Sequence, residues 1–394
     1  MPGPAKSMGK PKAAELETLI HRMFGPAPRI LILRGGRVGD FMSATPALRE
    51  LRHAIPRARI GVIVSQIMAE FARRYRTIDD IFVAPGWPGV AAGPDDEATI
   101  DAFFQRMREW RADVAIQLNG GGENSNQFLL RLGARFTIGV RHPLAPDLDL
   151  TVPYIKTQMV RMRYLDVLRV LGITPRSLEL DLPILPSDDE ELRAALPAKV
   201  SLESLDRQPL LGIHAGSKSG ARCWPPDRFA QVIDRLVADY GFHPVLLGTE
   251  VEIGEAISRR LARRTDLLNL CGKTSFGAVV ALIRRLSLFL GNDSGPSHLA
   301  EAARIPSVVI YGSSHPLNWA PPQQAWHRVV ADWTAPCRWF HPCGCPDDSS
   351  VPCLQAVTPD MVLKAAKDLL SCLHRRQCLE RMPASLDLEE VFTS

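Results

Sequence analysis

Three short stretches combine glycine, small hydroxyl residues and charge in the way that proton and phosphate chemistry requires. They are Arg34-Gly35-Gly36-Arg37-Val38-Gly39-Asp40, the segment His214 to Pro225, and Gly291-Asn292-Asp293-Ser294-Gly295-Pro296-Ser297-His298-Leu299. In the first, glycines allow a sharp turn. Asp40 then offers a carboxylate able to take a proton from an acceptor hydroxyl, although the same spacing also suits a helix cap. Arg34 and Arg37 flank it as candidate acceptor-binding groups. The second stretch sets Ser217, Lys218 and Arg222 among small residues with free backbone N–H groups, a combination that holds a diphosphate or forms a plain surface loop. Its residue order is neither that of a Walker A loop nor that of a dinucleotide glycine motif. In the third, Ser294 and Gly295 open a helix and present N–H groups to an anion, with Asp293 and His298 beside them. A histidine at such a position is also often just a satisfied helix residue.

Each stretch needs a rigid strand behind it, and the sequence supplies one each time. Ile30 to Leu33, Ile60 to Val64, Val114 to Leu118 and Phe136 to Val140 read as strands alternating with amphipathic helices, the pattern of βαβ units on a parallel sheet. Thr45-Pro46 suits a helix start, with Thr45 as cap. The pattern pauses at Pro183, Pro186 and Pro197, with an acidic run from Ser187 to Glu191, and then restarts. Strands are predicted at Leu210 to His214, Val245 to Leu247, Leu288 to Leu290 and Val308 to Tyr311, and helices from Asp227, near Ile253 to Arg264 and from Pro296. Phe229, Val232, Ile233, Leu236, Val237 and Tyr240 form one core-facing stripe on the first of these helices. The expected organisation is an N-terminal arm (1–28), a Rossmann-like domain (29–186), a linker (187–207), a second Rossmann-like domain (208–330), a cysteine-rich segment with a closing helix (331–375) and a tail (376–394). Ligands of such α/β folds sit at the carboxyl ends of the strands, which points to the cleft between the lobes.

The composition agrees. With 394 residues, 46% hydrophobic and 23% charged, the chain can bury two cores. A net charge of +4 with scattered arginines does not suggest nucleic-acid binding. No apolar run approaches a membrane span and Met1 to Lys12 lacks a signal-peptide core, so a cytoplasmic location is expected. Of eight cysteines, Cys337, Cys343, Cys345 and Cys353 cluster with irregular spacing, as a structural zinc or iron site or as simple thiols.

At the third stretch the sequence resembles glycosyltransferase family nine, the heptosyltransferases of bacterial surface polysaccharide assembly. The segment Gly291 to Leu299, followed by Ile305-Pro306 and Gly312, is similar to that family's signature. Arg34 with Gly39-Asp40, Thr45-Pro46, Trp224-Pro225, Cys271-Gly272-Lys273-Thr274-Ser275 and the late cysteines occur in the family's order, over roughly residues 29 to 370. The resemblance implies an α/β protein of GT-B type, two Rossmann-like doubly wound domains facing across a cleft, with the acceptor on the first and the donor on the second.

It further implies Asp40 as the base and Ser217, Lys218, Arg222, Glu252, Thr274, Asp293, Ser294, Gly295 and His298 as donor-binding residues. Arg222 stands where the family usually has lysine, and Lys218 is able to share its task. Glu252 takes the position of the ribose-binding carboxylate, with Glu250 as rival. The implied reaction is inverting transfer of heptose from ADP-heptose to a lipopolysaccharide core-type acceptor, with no cofactor required for catalysis. Such an enzyme meets its lipid-linked acceptor at the inner face of the cytoplasmic membrane, where Arg161-Met162-Arg163 is a candidate contact with anionic lipid. A protein O-heptosyltransferase of autotransporter type, whose relatives hold iron with cysteines, and a non-catalytic nucleotide-sugar binding protein are the alternatives.

Overall fold

The computed structural model describes residues 19–93, 96–262, 267–322, 325–335, 348 and 350–374. The first lobe is built on strands β1 (Arg29–Leu33), β2 (Arg59–Val64), β3 (Asp80–Val83), β4 (Val114–Gln117), β5 (Phe136–Arg141) and β6 (Leu150–Pro153). All pair in parallel, in the order β3-β2-β1-β4-β5-β6. The second lobe holds β7 (Leu210–His214), β8 (His243–Leu246), β9 (Leu268–Asn269), β10 (Leu286–Asn292), β11 (Ser307–Tyr311) and β12 (His327–Ala331). Its order, β12-β11-β10-β7-β8-β9, repeats the first sheet's winding. Parallel sheets are covered by helices on both faces, so central strands are near-continuous aliphatic runs. Ile30, Leu31, Ile32 and Leu33 of β1, and Leu288, Phe289 and Leu290 of β10, are accordingly sealed from solvent.

The winding reverses beside β1 in one sheet and beside β7 in the other, and a crevice opens at such switch points. The three stretches singled out by their chemistry follow β1, β7 and β10, so all three emerge at these crevices. On the helix Pro226–Tyr240, Phe229, Val232, Ile233 and Leu236 are buried, while Val237 and Tyr240 pack at the margin of the same core.

Several expectations need correction. Thr45 is the first residue of the helix Thr45–Ala54, not its cap; its hydroxyl donates to the Met42 carbonyl at 2.8 Å and accepts from the Asp181 N–H. A separate short helix, Val38–Met42, precedes it. The described end of the arm is tied to the first lobe: Ile20 of the helix Leu19–Phe24 is buried in the core, and the Leu19 N–H reaches the Leu171 carbonyl. Within the linker the acidic run forms the helix Ser187–Ala195, packed on the helix Phe276–Ile283 of the second lobe. There Arg74 pairs with buried Asp188, and Arg285 grips both oxygens of Asp189.

Arg161 and Arg163, expected to face lipid, are buried. Arg163 donates to the carbonyls of Ile155, Lys156 and Gln158, whereas Arg161 crosses to the second lobe and binds Glu301 with two hydrogen bonds, of 2.7 and 2.9 Å. Further contacts join the lobes: Phe71 against Phe276, and the Asn318 amide donating to the Lys156 and Gln158 carbonyls. Among the described residues no helix is long and apolar enough to cross a membrane.

The helices Val38–Met42 and Gly295–Ala302 meet closely across the lobe boundary. A Cβ on Gly39 would lie 2.7 Å from His298 Cδ2, and one on Gly295 would lie 2.8 Å from Val38 Cβ. Gly39→Ala is therefore expected to destabilise the protein by about 1–3 kcal/mol through overpacking. The measurement is the midpoint of urea unfolding, and an unchanged midpoint would contradict the tight seam.

Candidate active site

A cavity of about 490 Å³ opens between the lobes, within the size range of small-molecule sites. Its first-lobe wall is the turn after β1. Gly36 takes φ +92°, a left-handed conformation that glycine adopts without strain, and the helix Val38–Met42 then begins with Arg37 as its cap. Asp40 Oδ2 accepts the Arg37 N–H at 2.9 Å and Oδ1 accepts Arg34 Nη2 at 3.1 Å. The cap and base readings of Asp40 are thus compatible, because its side chain remains 37% exposed on the cavity side.

Arg34 is not a cavity residue. It is buried, with Nε donating to the Asp40 carbonyl at 2.7 Å, Nη1 to Asn119 Oδ1 at 3.2 Å, and its guanidinium over the Tyr164 ring. The Nε and Nη2 contacts fix the Asp40 turn and the others anchor Arg34 itself, so of the two arginines expected at the acceptor only Arg37, which is exposed, lines the cavity.

The second-lobe wall comes from the loops after β7, β8 and β10. Asn292, fully buried, donates to the Ala215 carbonyl at 2.6 Å and accepts the Trp224 N–H at 3.2 Å, tying the β7 loop to β10. Ser217, Lys218 and Arg222 line the cavity. The Ser217 hydroxyl oxygen is buried and has no hydrogen-bond partner among the described residues. Nor are Arg37, Lys218 and Arg222 paired there with any carboxylate. These three cations and the unsatisfied hydroxyl offer donors to an anion, on a lining that also carries the carboxylates Asp40, Glu70, Glu250 and Asp293.

His214, at the end of β7, links the two remaining loops. Its Nδ1 is 2.9 Å from Ser294 Oγ and its Nε2 is 3.8 Å from Glu250 Oε2. Burial pushes the imidazole down to about 4, against the opposing pull of Glu250, so it is neutral near pH 7. Asp293, Ser294, Gly295 and His298 line the cavity at the start of the helix Gly295–Ala302, and Thr274 with Phe276 and Val279 closes another side.

Ten predicted residues therefore meet in one place: Arg37, Asp40, Ser217, Lys218, Arg222, Thr274, Asp293, Ser294, Gly295 and His298. Glu252 is exposed on the helix Val251–Arg260 and is not part of the lining, whereas Glu250 caps that helix and faces the cavity. Cys337, Cys343 and Cys345 lie outside the described residues, and Cys353 is buried in the second lobe's core. Among the described residues no group of three or more His, Cys, Asp or Glu could hold a metal ion. Sequence reasoning missed the linking role of His214 and the cavity positions of Glu70 and Trp319. His214 had a signal, as a polar residue ending an aliphatic strand; Glu70 and Trp319 had none.

Two facing, identically wound Rossmann-like lobes with a cleft between them make the GT-B fold. The chain belongs to glycosyltransferase family 9 (heptosyltransferase), whose family model matches residues 100–339, more than half of its length. It is 26% identical over 298 residues to lipopolysaccharide heptosyltransferase 3 of Escherichia coli K12, covering 72% of this chain and 82% of that protein. Among solved structures it is similar to a family 9 glycosyl transferase from Veillonella parvula, with TM-score 0.72 and 23% identity, covering 88% of this chain and 98% of that one. The E. coli ADP-heptose lipopolysaccharide heptosyltransferase II superposes with TM-score 0.64 and 23% identity, covering 88% and 99%.

The buried histidines carry a pH signature. His327, held down to about 4 chiefly by burial, behaves like His214. Between pH 6.5 and about 4 the unfolded chain binds protons at both residues that the folded chain refuses. Stability therefore falls as pH drops through that window, by roughly 3 kcal/mol per histidine at most. Urea unfolding at pH 7 and pH 4.5 is expected to show a smaller difference for His214→Gln than for the parent; equal differences would place the histidine's protonation elsewhere.

Proposed function

We propose that the protein is an inverting heptosyltransferase that moves heptose from ADP-heptose to a lipopolysaccharide core-type acceptor. The observation that carries this reading is the meeting, in one cavity, of an arginine-anchored carboxylate, the unpaired Lys218 and Arg222, and the N-terminus of the helix Gly295–Ala302. Family membership and the substrates printed in the names of its relatives support the choice of donor and acceptor.

In this mechanism Asp40 accepts the proton of the acceptor hydroxyl as its oxygen attacks the anomeric carbon from the face opposite the diphosphate. The bond from that carbon to the diphosphate oxygen breaks, the configuration inverts, and ADP leaves with the electron pair. Lys218, Arg222, the Ser217 hydroxyl and the helix dipole at Ser294-Gly295 stabilise the charge that develops on the diphosphate, the part a divalent cation plays in other transferases. Thr274 lies on the adenine side, and Asp293 and His298 meet the transferred sugar. Glu250 takes the ribose hydroxyls, in preference to Glu252, because it is the carboxylate that lines the cavity. Arg37 holds the acceptor. A lipid-linked acceptor places the work at the inner face of the cytoplasmic membrane, although buried Arg161 and Arg163 supply no lipid contact.

Incubation with a panel of nucleotide sugars should release ADP from ADP-heptose only, undiminished by chelator. Asp40→Asn should lower kcat by about 10²–10⁴-fold; undiminished turnover would remove Asp40 as the base, and loss in chelator reversed by magnesium would end the metal-independent mechanism. Glu250→Ala should raise the donor KM while Glu252→Ala leaves it unchanged, and the reverse result would restore Glu252 to the ribose.

A further inference from the structure

Arg161 belongs to the first lobe, on the helix Val160–Val170, yet its guanidinium is 2% exposed and spends two hydrogen bonds on Glu301 of the second lobe. A third goes to the Leu178 carbonyl at 3.0 Å. Burial by itself would raise the Glu301 carboxyl, but Arg161 and His298 outweigh it and hold the group at about 2, so Glu301 is an ionised, acceptor-only carboxylate.

Glu301 lies one helical turn beyond His298. Its Oε2 faces His298 Nδ1 at 3.8 Å, and the other ring nitrogen, Nε2, faces Asp293 Oδ1 at 3.8 Å. The imidazole thus stands between two carboxylates, with Trp319 against it at a ring separation of 6.0 Å. Its Cδ2 edge presses on Gly39, the residue before Asp40, closely enough that not even a methyl group fits between them. A continuous line of contact therefore runs from Arg161 through Glu301 and His298 to the backbone that carries Asp40.

We propose that Glu301, clamped by Arg161 across the lobe boundary, is a positioning residue for transfer: it fixes the His298 ring through an Nδ1–H, and that ring sets the Asp40 turn relative to the donor. The inference rests on the reading of the cavity as the transfer site. A buried pair replaced whole by apolar residues of similar volume generally keeps the fold, whereas removal of one partner strands a buried charge. The informative variant is accordingly Arg161→Met with Glu301→Leu. A displaced base loses rate more than affinity, since small misplacements of reacting groups are costly.

The experiment compares the full-length parent, that double variant, His298→Ala and the triple combination in steady-state transfer from the nucleotide sugar the parent turns over. The double variant is expected to lose about ten- to a hundredfold in kcat, with the donor KM moving less than about threefold. In the His298→Ala background the same two substitutions should change kcat by less than about twofold, because their effect passes through the missing ring. An equal loss in both backgrounds, a kcat within about twofold of the parent in the double variant, or a rise in KM alone overturns the proposal. The unaltered protein provides a second test that needs no substrate and no variant to fold. Its histidine nitrogen-15 spectrum should show His298 protonated at Nδ1 near pH 7, and a bare Nδ1 overturns the proposal. A parent inactive on every donor would defeat the reading of the cavity while leaving this spectrum to decide the role of Glu301.

Discussion

The approach of two helix starts across the lobe boundary is the contact on which the site depends. Gly39 meets His298 and Gly295 meets Val38 with no room for a methyl group at either glycine. Only that closeness lets a carboxylate from one lobe and an anion pocket from the other share one cavity. Two helix N-termini facing each other bring like partial charges together, which is unfavourable on its own. Carboxylates offset it on both sides: Asp40 in the first turn of one helix, and Asp293 immediately before the cap of the other. The same two groups line the cavity. The electrostatics that allow the helices to meet and those offered to a substrate are therefore one arrangement.

Arginine serves two opposite purposes in this chain, and burial separates them. Arg34, Arg74, Arg161 and Arg163 are buried, and their donors are spent on carbonyls and carboxylates, nearby in sequence for Arg34 and Arg163 and on distant segments for Arg74 and Arg161. The guanidinium suits this work because its planar fork reaches several acceptors while it stays charged. Arg37, a helix cap, and Arg222, at the end of the 3-10 turn Gly220–Arg222, keep their charge unpaired among the described residues and face the cavity. A sequence displays the residue type but not the accessibility. For that reason Arg34 reads as a substrate contact and Arg161-Met162-Arg163 reads as a lipid-facing patch.

The same distinction explains what was legible in the fold. The eight strands visible in the sequence are the interior strands of the two sheets; the four that escaped, β3, β6, β9 and β12, are the four edges. An interior parallel strand is covered on both faces and must be a run of aliphatic residues, whereas an edge is short and mixed, as Asp80-Ile81-Phe82-Val83 and the two-residue β9 are. The site loops were readable because each follows an interior strand. Glu250 and Glu252 were not separable, since the choice turns on which residue starts a helix, and helix ends are the least determined feature of a sequence. The packing of the acidic run from Ser187 was not legible, because its arginine partners, Arg74 and Arg285, lie about a hundred residues away in either direction.

A regularity in how the loops are held follows from the sheets themselves. The residue at or just past the end of each of three interior strands is polar and buried: Arg34 after β1, His214 on β7 and Asn292 on β10. A polar group there is costly unless its hydrogen bonds are made, and the bonds available are those of the loops about to leave the sheet. Arg34 takes the Asp40 turn, His214 takes Ser294, and Asn292 takes both the Ala215 carbonyl and the Trp224 N–H. None can leave its partner without exposing an unsatisfied group in the interior, so loops rich in glycine, which would otherwise be mobile, are pinned at their bases. The residues one to eight positions further on are the ones that reach the cavity. Strand ends thus supply rigidity and loop crests supply chemistry, and the order in sequence, aliphatic run, buried polar residue, glycine-rich crest, is the physical form of the motif.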